Sequence, residues 1–420
     1  KEKITQPALL NVARKMDEKE NLAVAKSWSQ NFYNIAKTSR LNFKFDKPTF
    51  KAGQPKKIKI SYLSCDFYNH ATAHLMLGLF PRHNRNKFEI FTYSYGVDDK
   101  SSYRKKIIAN SDHFVDISNL GNSEAAKRIY QDKIDILVDL KGHTKNSRLE
   151  IAAARPAPIQ VSWLGFPGTT GATFFDYLIS DKVVIKSQKF YTEKIINLPC
   201  YQVNDIDQPI AAKKYTRADF DLPSKGVVFS SFNGTYKITE EVFESWMEIL
   251  KNVPRSVLWL LVTDKAARKN LRNEAQKRGI DGKRIIFTKH LAKEEHLARI
   301  GLSDLALDTF TYNGHTTTSD CLWAGVPVIT LKGNHFASRV SASLLTAIGL
   351  PELITHSPKE YEKLAIDLAT NPQKLLSIRS RLFSNCLSKP LFNTDLFVKS
   401  LEDAYLKMLA LSGRNNRRVA

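Results

Sequence analysis

From residue 58 onward the chain alternates short apolar segments with longer amphipathic ones, and this alternation limits the fold more than any other feature of the sequence. Buried strands are predicted for KIKISYLSCD, FEIFTYSY, IDILVDLKG and PIQVSWLG. Helices between them are predicted for HATAHLMLGLF and NSEAAKRIYQD. Strands that alternate with helices indicate an α/β fold with a mostly parallel sheet and helices on both faces.

The alternation weakens in a polar, turn-rich stretch at about residues 181–225 and then begins again. Strands are predicted for GVVFSSFN, VLWLLV, RIIFTK, LALDTF and VPVITL. The helix TEEVFESWMEILKNV has Thr239 as its predicted N-cap, and the chain is predicted to be helical from about residue 358. Two such units predict two doubly wound domains that face each other across a cleft, with ligands at the carboxyl ends of the strands.

The first 40 residues have a different pattern. Apolar side chains such as Leu9, Val12, Trp28 and Phe32 recur at three- and four-residue spacing, which predicts helices. A polar connector, KFDKPTFKAGQPKK, leads to the first strand. Because the chain begins with a lysine rather than a methionine, we expect it to be the C-terminal portion of a longer protein.

Cysteine usage and hydropathy indicate the compartment. No run of about 18 apolar residues is present, and residues 1–20 lack the apolar core of a secretory signal. The four cysteines are far apart, without a C-x-x-C pair or metal-ligand spacing. The sequence therefore predicts a reduced, cytoplasmic protein that has no membrane partner.

The formal net charge of +21 suits an acidic partner, which could be nucleic acid, an anionic membrane surface or a phosphorylated small molecule. The lysines are interpreted as scattered through the chain, with the tail GRNNRRVA as the one local basic run. Because the charge is scattered, a generally basic proteome background is the alternative explanation, and nucleic-acid binding is not favoured by charge alone.

A candidate anion site follows the predicted strand Leu305–Phe310. Asn313-Gly314 forms a turn, and the residues His315–Thr317 come where a helix is expected to begin. The first N–H groups of a helix are unpaired and lie at the positive end of its dipole, so they bind phosphate well. Thr316 alone could be an ordinary N-cap, but together with Asp320 one turn later the group favours a nucleotide ligand.

Three further residues of the second unit could contact such a ligand. Lys237 follows a strand in FSSFNGTYKIT, where its charge could neutralise a diphosphate, although a single lysine is more often an ordinary surface residue. Lys293 and His296 are three residues apart in AKEEHLARI, which places both on one helix face. A histidine can stack on a base while a lysine reaches a base oxygen.

The first unit offers His70 and His74 in CDFYNHATAHLM, at a spacing that would suit a metal pair on one helix face. No third ligand is near, and the glutamate of an H-E-x-x-H site is missing, so we predict no metal site. His70 is instead expected to point into the cleft. Asp139 and His143 end another strand of this unit.

Two other motifs lie between the strands. The loop WLGFPGTTG, residues 163–171, is rich in Gly, Pro and Thr and is predicted to face the substrate rather than the core. The D-x-D motifs at 205–207 and 219–221 have the form used by metal-dependent sugar-nucleotide enzymes. Because both fall in the polar stretch, they are interpreted as turn residues.

Several blocks, in this order, resemble the catalytic region of the O-linked N-acetylglucosamine transferase and SPINDLY family, in its bacterial type. They are CDFYNHATAHLM, ARPAPIQVSWLGFPGTTG, FNGTYKIT, PRSVLWLL, AKEEHLARIGLSDLALDT, NGHTTTSDCLWAGVPVIT and ASRVSASLLTAIGLPELI. The resemblance implies a GT-B fold, in which two Rossmann-like domains face a cleft and the C-terminal one holds the nucleotide. It also implies tetratricopeptide repeats ahead of the catalytic region.

The resemblance assigns roles residue by residue. Lys237 is similar to the lysine that contacts the donor diphosphate, and His70 to the histidine near the reacting centre. The phosphate-binding helix start of the family is similar to His315, Thr316 and Thr317. Its ribose-binding acid is similar to Asp320, and its base-contacting pair is similar to Lys293 and His296.

The implied domain order has four parts. A helical segment at 1–45 is a remnant of the repeat region, 56–215 is the N-terminal catalytic domain, 225–390 binds the nucleotide sugar, and 391–420 is a C-terminal helix with a basic tail. The implied reaction is an inverting transfer of N-acetylglucosamine from UDP-N-acetylglucosamine to Ser or Thr hydroxyls of a protein, without a cofactor or metal.

One position departs from the pattern of the animal enzymes. They have a glutamine two residues before the YKI of the lysine motif, where this chain has Gly234. SPINDLY proteins of plants differ there too and use GDP-fucose. Two alternatives therefore stay open, which are a protein O-fucosyltransferase and a non-catalytic basic scaffold that binds nucleotide or RNA.

Overall fold

The computed structural model describes residues 6–45 and 57–415. Most of the predicted connector and the last five residues of the predicted basic tail lie outside these described residues. The chain divides into two compact units. The first comprises residues 1–206 and 393–420, and the second comprises residues 207–392.

The first unit is built on a seven-stranded sheet with the strand order β3-β2-β1-β4-β5-β6-β7. Its strands are β1 Ile58–Ser64, β2 Phe88–Ser94, β3 His113–Asp116, β4 Ile136–Asp139, β5 Ile159–Ser162, β6 Tyr177–Ser180 and β7 Lys194–Asn197. Every neighbouring pair is parallel, and Ile60 lies opposite both Ile90 and Ile136 at the centre. The strand order reverses between β1 and β4, which is where such sheets place their ligands.

Helices cover both faces of this sheet. They are α1 Ala8–Arg14, α2 Glu18–Thr38, α3 Ala71–Met76, α4 Leu79–Arg82, α5 Ser102–Asn110, α6 Asn122–Gln131, α7 Leu149–Ala153 and, after the second unit, α15 Thr394–Asn415. Ile60 and Tyr62 pack toward α15, whereas Leu63 packs toward α6 on the other face, as the two-residue period of a strand requires. The C-terminal helix therefore completes the core of the first unit.

The second unit is built on a six-stranded sheet with the strand order β10-β9-β8-β11-β12-β13. Its strands are β8 Val228–Ser231, β9 Val257–Leu261, β10 Ile285–Thr288, β11 Leu305–Leu307, β12 Val328–Leu331 and β13 Ile354–Thr355. Its helices are α8 Glu240–Asn252, α9 Lys265–Lys277, α10 Lys293–Ile300, α11 Thr316–Trp323, α12 Val340–Ala347, α13 Pro358–Thr370 and α14 Pro372–Ser388. All its strand pairs are parallel, and the order reverses between β8 and β11.

The two predicted Rossmann-like domains and the N-terminal helices are thus confirmed. Thr239 is the N-cap of α8, since its hydroxyl accepts a hydrogen bond from the Val242 N–H. The predicted strand Leu305–Phe310 ends earlier, at Leu307, because the Asp308 carboxylate accepts the Gly314 N–H at 2.6 Å and draws the chain into a turn.

Some elements differ from the prediction. The helix predicted for HATAHLMLGLF is split into α3 and α4, and Gly78 lies in the break, where a Cβ would meet the Asp205 carboxylate at 2.3 Å. β7 was not predicted, since it lies in the stretch interpreted as polar and turn-rich. It is an edge strand in which only Ile196 is buried, so its sequence has no apolar run. Among the described residues, no helix is both long and apolar enough to cross a bilayer.

Candidate functional site

The predicted phosphate-binding helix begins where the sequence indicates. α11 starts at Thr316, and His315 occupies its N-cap position directly after the turn that follows β11. The His315 ring packs against Tyr312 with 5.0 Å between ring centroids. Loss of solvation and the positive charge of Lys237 hold the pKa of His315 well below its usual range, so the ring is neutral.

Lys237 lies beside this helix start. It ends a short 3-10 turn, Thr235–Lys237, directly after β8, and its side chain is buried. Its Nζ donates a hydrogen bond to the Asn313 carbonyl oxygen at 2.7 Å and lies 4.1 Å from the centre of the Tyr312 ring. Burial lowers the pKa of Lys237 to about 8, against a smaller opposing effect of the Asp308 charge.

This ammonium has no ion-pair partner. Within the part of the chain that the structure describes, no carboxylate lies within 4.0 Å of Lys237 Nζ. A buried charge is costly unless a counter-charge accompanies it. The site therefore favours an anion brought by a ligand.

Several polar atoms without partners lie at or near the carboxyl ends of β8 and β11. Buried polar groups in proteins are almost always hydrogen-bonded, so a group of exceptions in one place requires an explanation. Five buried side-chain atoms near the ends of β8 and β11 lack a hydrogen-bond partner among the described residues; they are Ser230 Oγ, Ser231 Oγ, Asn233 Oδ1, Asn313 Oδ1 and His315 Nε2. A polar ligand that enters here would supply the missing hydrogen bonds.

Asp308 and Gly314 shape the turn that presents these groups. Besides the Gly314 N–H, the buried Asp308 carboxylate accepts the Thr330 hydroxyl at 2.7 Å. A Cβ on Gly314 would lie 2.4 Å from Thr318 Oγ1, so only glycine fits at this position. Asp308 is a positioning residue that the sequence analysis missed.

Lys293 and Asp320 were predicted to contact a ligand separately, yet in the structure they contact each other. Lys293 Nζ donates to Asp320 Oδ1, and both side chains are buried. Burial raises the pKa of Asp320, although the Lys293 charge opposes this. The ion pair joins the first turn of α10 to α11. Their predicted ligand contacts stay predictions.

His296 is held by Arg299. The Arg299 Nε–H donates to His296 Nδ1 at 3.0 Å, and the ring lies edge-on to Phe232 at 5.3 Å. Loss of solvation and the nearby positive charges of Arg299 and Lys293 keep the pKa of His296 well below its usual range. The ring is therefore neutral, and because Nδ1 accepts, its proton is on Nε2.

The first unit has its own polar group at the reversal between β1 and β4. Asp66 follows β1 and Lys141 follows β4, and Lys141 Nζ lies 2.7 Å from Asp66 Oδ2 with both side chains buried. His70 Nδ1 lies 3.6 Å from the same oxygen and accepts the Thr72 N–H at 3.2 Å. Loss of solvation lowers the pKa of His70. Its role near the reacting centre stays a prediction.

The two histidines of CDFYNHATAHLM do not form a pair. His70 precedes α3 as its N-cap, whereas His74 contacts Asn69 Oδ1 at 2.7 Å and packs on Tyr103. Nowhere in residues 6–45 and 57–415 do three His, Cys, Asp or Glu side chains form a group that could hold a metal ion. That the reaction needs no metal remains a prediction.

Asp139 and His143 have separate surroundings. Asp139 accepts the backbone N–H groups of Lys141 and Gly142, and burial raises its pKa to about 6. His143 Nε2 donates to the Thr170 carbonyl oxygen at 2.7 Å, and its ring stacks on Phe32 of α2. Loss of solvation lowers the pKa of His143 to about 4.

The prediction that loop 163–171 faces the substrate is wrong. Trp163 and residues 166–171 are buried. The Glu193 carboxylate accepts hydrogen bonds from Thr169 Oγ1 and from the Thr170 N–H, and a Cβ on Gly171 would lie 2.4 Å from the Lys26 nitrogen of α2. Small residues are present because a helix and a carboxylate approach the backbone closely.

The second D-x-D motif is part of a turn, as predicted. Asp219 accepts hydrogen bonds from the Thr216 N–H and hydroxyl, and Asp221 has a left-handed backbone with φ of 56°. In the first motif, Asp205 is buried beside Gly78.

Comparisons with known proteins give matches over most of the chain. Residues 16–209 and 202–401 match the family model described as Glycosyl transferase family 41. A probable UDP-N-acetylglucosamine–peptide N-acetylglucosaminyltransferase SEC of Arabidopsis thaliana is 44% identical over 86% of this chain and 38% of its own length. The corresponding transferase of Caenorhabditis elegans is 32% identical over 84% of this chain and 41% of its own length. The chain thus spans about two fifths of these relatives.

Solved structures give the same result. A mutant O-GlcNAc transferase from Thermobaculum terrenum matches with a TM-score of 0.86 and 29% identity, over 97% of this chain and 77% of that one. Anabaena HepE in complex with UDP and glucose matches with a TM-score of 0.58 and 13% identity, over 83% of this chain and all of that one. The second likeness shows the fold alone, and together with the two Rossmann-like units these matches establish the GT-B class.

Proposed function

The chain belongs to glycosyl transferase family 41, and from this premise we propose that it transfers N-acetylglucosamine from UDP-N-acetylglucosamine to Ser or Thr hydroxyls of a protein. The names of the relatives that cover most of the chain support the donor and the peptide acceptor. The observation that carries the proposal is the buried Lys237 ammonium, which has no carboxylate beside it and lies among unpartnered polar atoms.

The donor diphosphate occupies the space in front of Lys237 and the first turn of α11. The acceptor hydroxyl oxygen forms a bond to the anomeric carbon and releases its proton to solvent, while the bond from that carbon to the diphosphate oxygen breaks, which inverts the configuration. Negative charge grows on the departing diphosphate. Lys237 and the N–H groups after His315 lie where that charge appears, so they stabilise the transition state more than the ground state.

The rest of the nucleotide extends toward α10. One oxygen of Asp320 is taken by Lys293, and the other is available to accept a hydrogen bond from a ribose hydroxyl. The neutral His296 ring stacks on the base or donates its Nε2–H to a base oxygen. Thr316 and Thr317 add hydroxyl donors to the phosphate site, since both are only partly buried.

No metal ion is required in this proposal. A lysine and a helix N-terminus together provide the positive charge that a divalent cation supplies in other nucleotide-sugar sites. The Asn233 side-chain oxygen, which lies 3.3 Å from the position of a Cβ on Gly314, then contacts the sugar or the phosphates rather than a hydrated ion.

The test is a transfer assay on the whole chain in the presence of EDTA, with a Ser/Thr-containing acceptor peptide and mass spectrometry as the readout. The proposal predicts the addition of one N-acetylhexosamine from UDP-N-acetylglucosamine. Addition of a deoxyhexose from GDP-fucose instead would contradict the donor assignment. UDP binding without transfer to any of a panel of acceptor proteins would identify a nucleotide-binding protein without this activity.

A further inference from the structure

The segment 265–290 of the second unit carries a concentrated positive charge. It contains nine lysines and arginines but only two acidic residues, which gives +7, one third of the net charge of +21 on the whole chain. The prediction that the lysines are scattered is therefore wrong for this segment. It comprises α9, the turn after it and β10, which forms an edge of the sheet. We call its outer surface the basic face.

The elements of the basic face form one continuous surface. The guanidinium groups of Arg268 and Arg272 lie over the Phe287 ring of β10, at 5.6 Å and 5.0 Å from its centre. Arg272 Nη2 also donates to the Ile285 carbonyl oxygen at 3.4 Å, and a Cβ on Gly282 would lie 3.2 Å from Arg272 Cβ. α9 is thus fixed across β10, and its 13 residues extend the face over roughly 20 Å.

Most of this charge is not neutralised within the chain. Glu274 is already paired with Lys277 and Arg278, and Asp281 accepts the Lys283 N–H. Four exposed lysines have no carboxylate within 4.0 Å among the described residues; they are Lys265, Lys269, Lys283 and Lys289. The basic face therefore presents four free ammonium groups to a partner.

The chemistry of the face favours an acidic polypeptide over nucleic acid. Arg268 and Arg272 stack on Phe287, and each donates one N–H to a backbone carbonyl oxygen, so these two guanidinium groups are fixed in place and the lysines are the mobile cations of the face. Single-stranded nucleic acid is usually bound with exposed aromatic rings, and residues 265–290 expose no large hydrophobic side chain. Lysines on a smooth polar surface suit carboxylates that are spread along a flexible chain.

We propose that the basic face binds glutamate- and aspartate-rich segments of acceptor proteins and thereby concentrates those acceptors on the transferase. The acceptor part of this inference rests on the proposed function, whereas the binding of acidic polypeptide does not. Such binding raises the rate of association through long-range attraction, and salt weakens it.

The first experiment measures binding without turnover. The probe is a fluorescein-labelled glutamate-rich peptide, and its anisotropy is followed on the full chain at low and at physiological salt. The test variant combines Lys265→Glu, Lys269→Glu, Lys283→Glu and Lys289→Glu. The control variant combines four exposed lysines of the first unit and changes the net charge equally; its substitutions are Lys37→Glu, Lys105→Glu, Lys106→Glu and Lys127→Glu.

We expect the test variant to bind the peptide about tenfold or more weakly and the control to stay within about twofold of the parent protein. Equal loss in both variants would show that only net charge matters and would overturn the proposal. An oligonucleotide of equal charge that binds the basic face about tenfold more tightly than the peptide would also overturn it, in favour of nucleic acid.

The second experiment compares two acceptor peptides that share one Ser/Thr site and differ only in a glutamate-rich tail. The parent protein is expected to give a kcat/KM several-fold higher for the tailed peptide, and the test variant to give equal values for both. A preference that survives in the test variant would contradict the proposal. Absence of transfer by the parent protein would refute the proposed function alone, because the anisotropy experiment tests the basic face separately.

Discussion

Each unit of this protein holds a buried lysine where the strand order of its sheet reverses, and the two lysines have opposite surroundings. Lys141 follows β4 and forms an ion pair with Asp66 at 2.7 Å. Burial opposes its charge, but Asp66 outweighs burial and raises the pKa of Lys141. Lys237 follows β8 and has only a carbonyl group as its hydrogen-bond acceptor, so burial lowers its pKa to about 8.

The difference is that the buried charge of Lys141 is neutralised within the chain, whereas Lys237 has no ion-pair partner among the described residues. In the first unit the chain supplies both ions, so the pair fixes the ends of β1 and β4 relative to each other. In the second unit the nearest acid, Asp308, is occupied by the Gly314 N–H and the Thr330 hydroxyl. In the proposed function the counter-charge of Lys237 is the diphosphate of the donor, and the names of the relatives contain such a donor, UDP-N-acetylglucosamine.

The largest effect is expected when the complete pair is broken. Lys141→Met leaves the buried Asp66 carboxylate without its only lysine or arginine partner among the described residues, with the neighbouring Cys65 thiol and His70 ring as weaker contacts. This loss should lower the free energy of unfolding of the first unit by about 3 kcal/mol. Urea unfolding followed by tryptophan fluorescence measures this. The exposed Lys145→Met is the control, with an expected change within about 0.5 kcal/mol. An equally small change for Lys141→Met would mean that the pair is not a stabilising contact.

Removal of the unpaired lysine should affect turnover instead of stability. Lys237→Ala is expected to lower kcat about 100-fold or more, because the departing diphosphate loses its nearest cation. The fold should persist, since no carboxylate is left unpaired. The matched control is Lys277→Ala, whose side chain is 70% exposed and far less constrained. If kcat of Lys237→Ala stays within a few-fold of that of the parent protein, Lys237 does not contact the departing diphosphate.

The lowered pKa of Lys237 gives a pH signature that Lys141 does not share. Lys237 loses its proton as the pH rises through about 8, so UDP should bind best below pH 8 and about tenfold more weakly at pH 9 than at pH 7. The terminal phosphate ionises at about pH 6, so it keeps its full charge between pH 7 and pH 9. Lys237→Arg should show no such decrease, and a parallel decrease in both proteins would assign the titration to another group.

The smallest effect is expected at the helix start. Thr316→Ala removes one hydroxyl donor but keeps the N–H groups of α11, so the KM for the donor should rise a few-fold, by about 1 kcal/mol, with kcat nearly unchanged. Thr346→Ala, which removes a hydroxyl bonded within α12, is the control. An unchanged donor KM for Thr316→Ala would contradict a phosphate contact.

The positions of Lys237 and His315 could be predicted because each lies in the turn that follows a strand of the parallel sheet. The pairing of Asp66 with Lys141 could not, since it joins residues 75 positions apart that meet only when β1 and β4 lie side by side. For the same reason Lys293 and Asp320 were assigned to a ligand separately. Their ion pair depends on how α10 packs against α11, which spacing along the chain does not reveal.

Predictions of exposure from local composition were wrong where segments distant in the sequence cover the residues. Residues 163–171 look like an exposed loop, yet Glu193 and α2 cover them. β7 escaped prediction because an edge strand with Lys194 and Asn197 at its ends lacks an apolar run. The hydrophobic periodicity predicted two α/β units, whereas the resemblance of whole blocks to a known family also predicted the GT-B class and which unit binds the nucleotide.

The central claim is that the unpaired Lys237 ammonium binds a diphosphate without a metal ion. The most direct test is a calorimetric titration of the whole chain with UDP in the presence of EDTA. One UDP should bind per chain, more tightly than GDP, and Lys237→Ala should weaken UDP binding about tenfold or more. The exposed-lysine variant Lys277→Ala should bind as the parent does. No UDP binding in EDTA, or equal affinity in Lys237→Ala, would contradict the account.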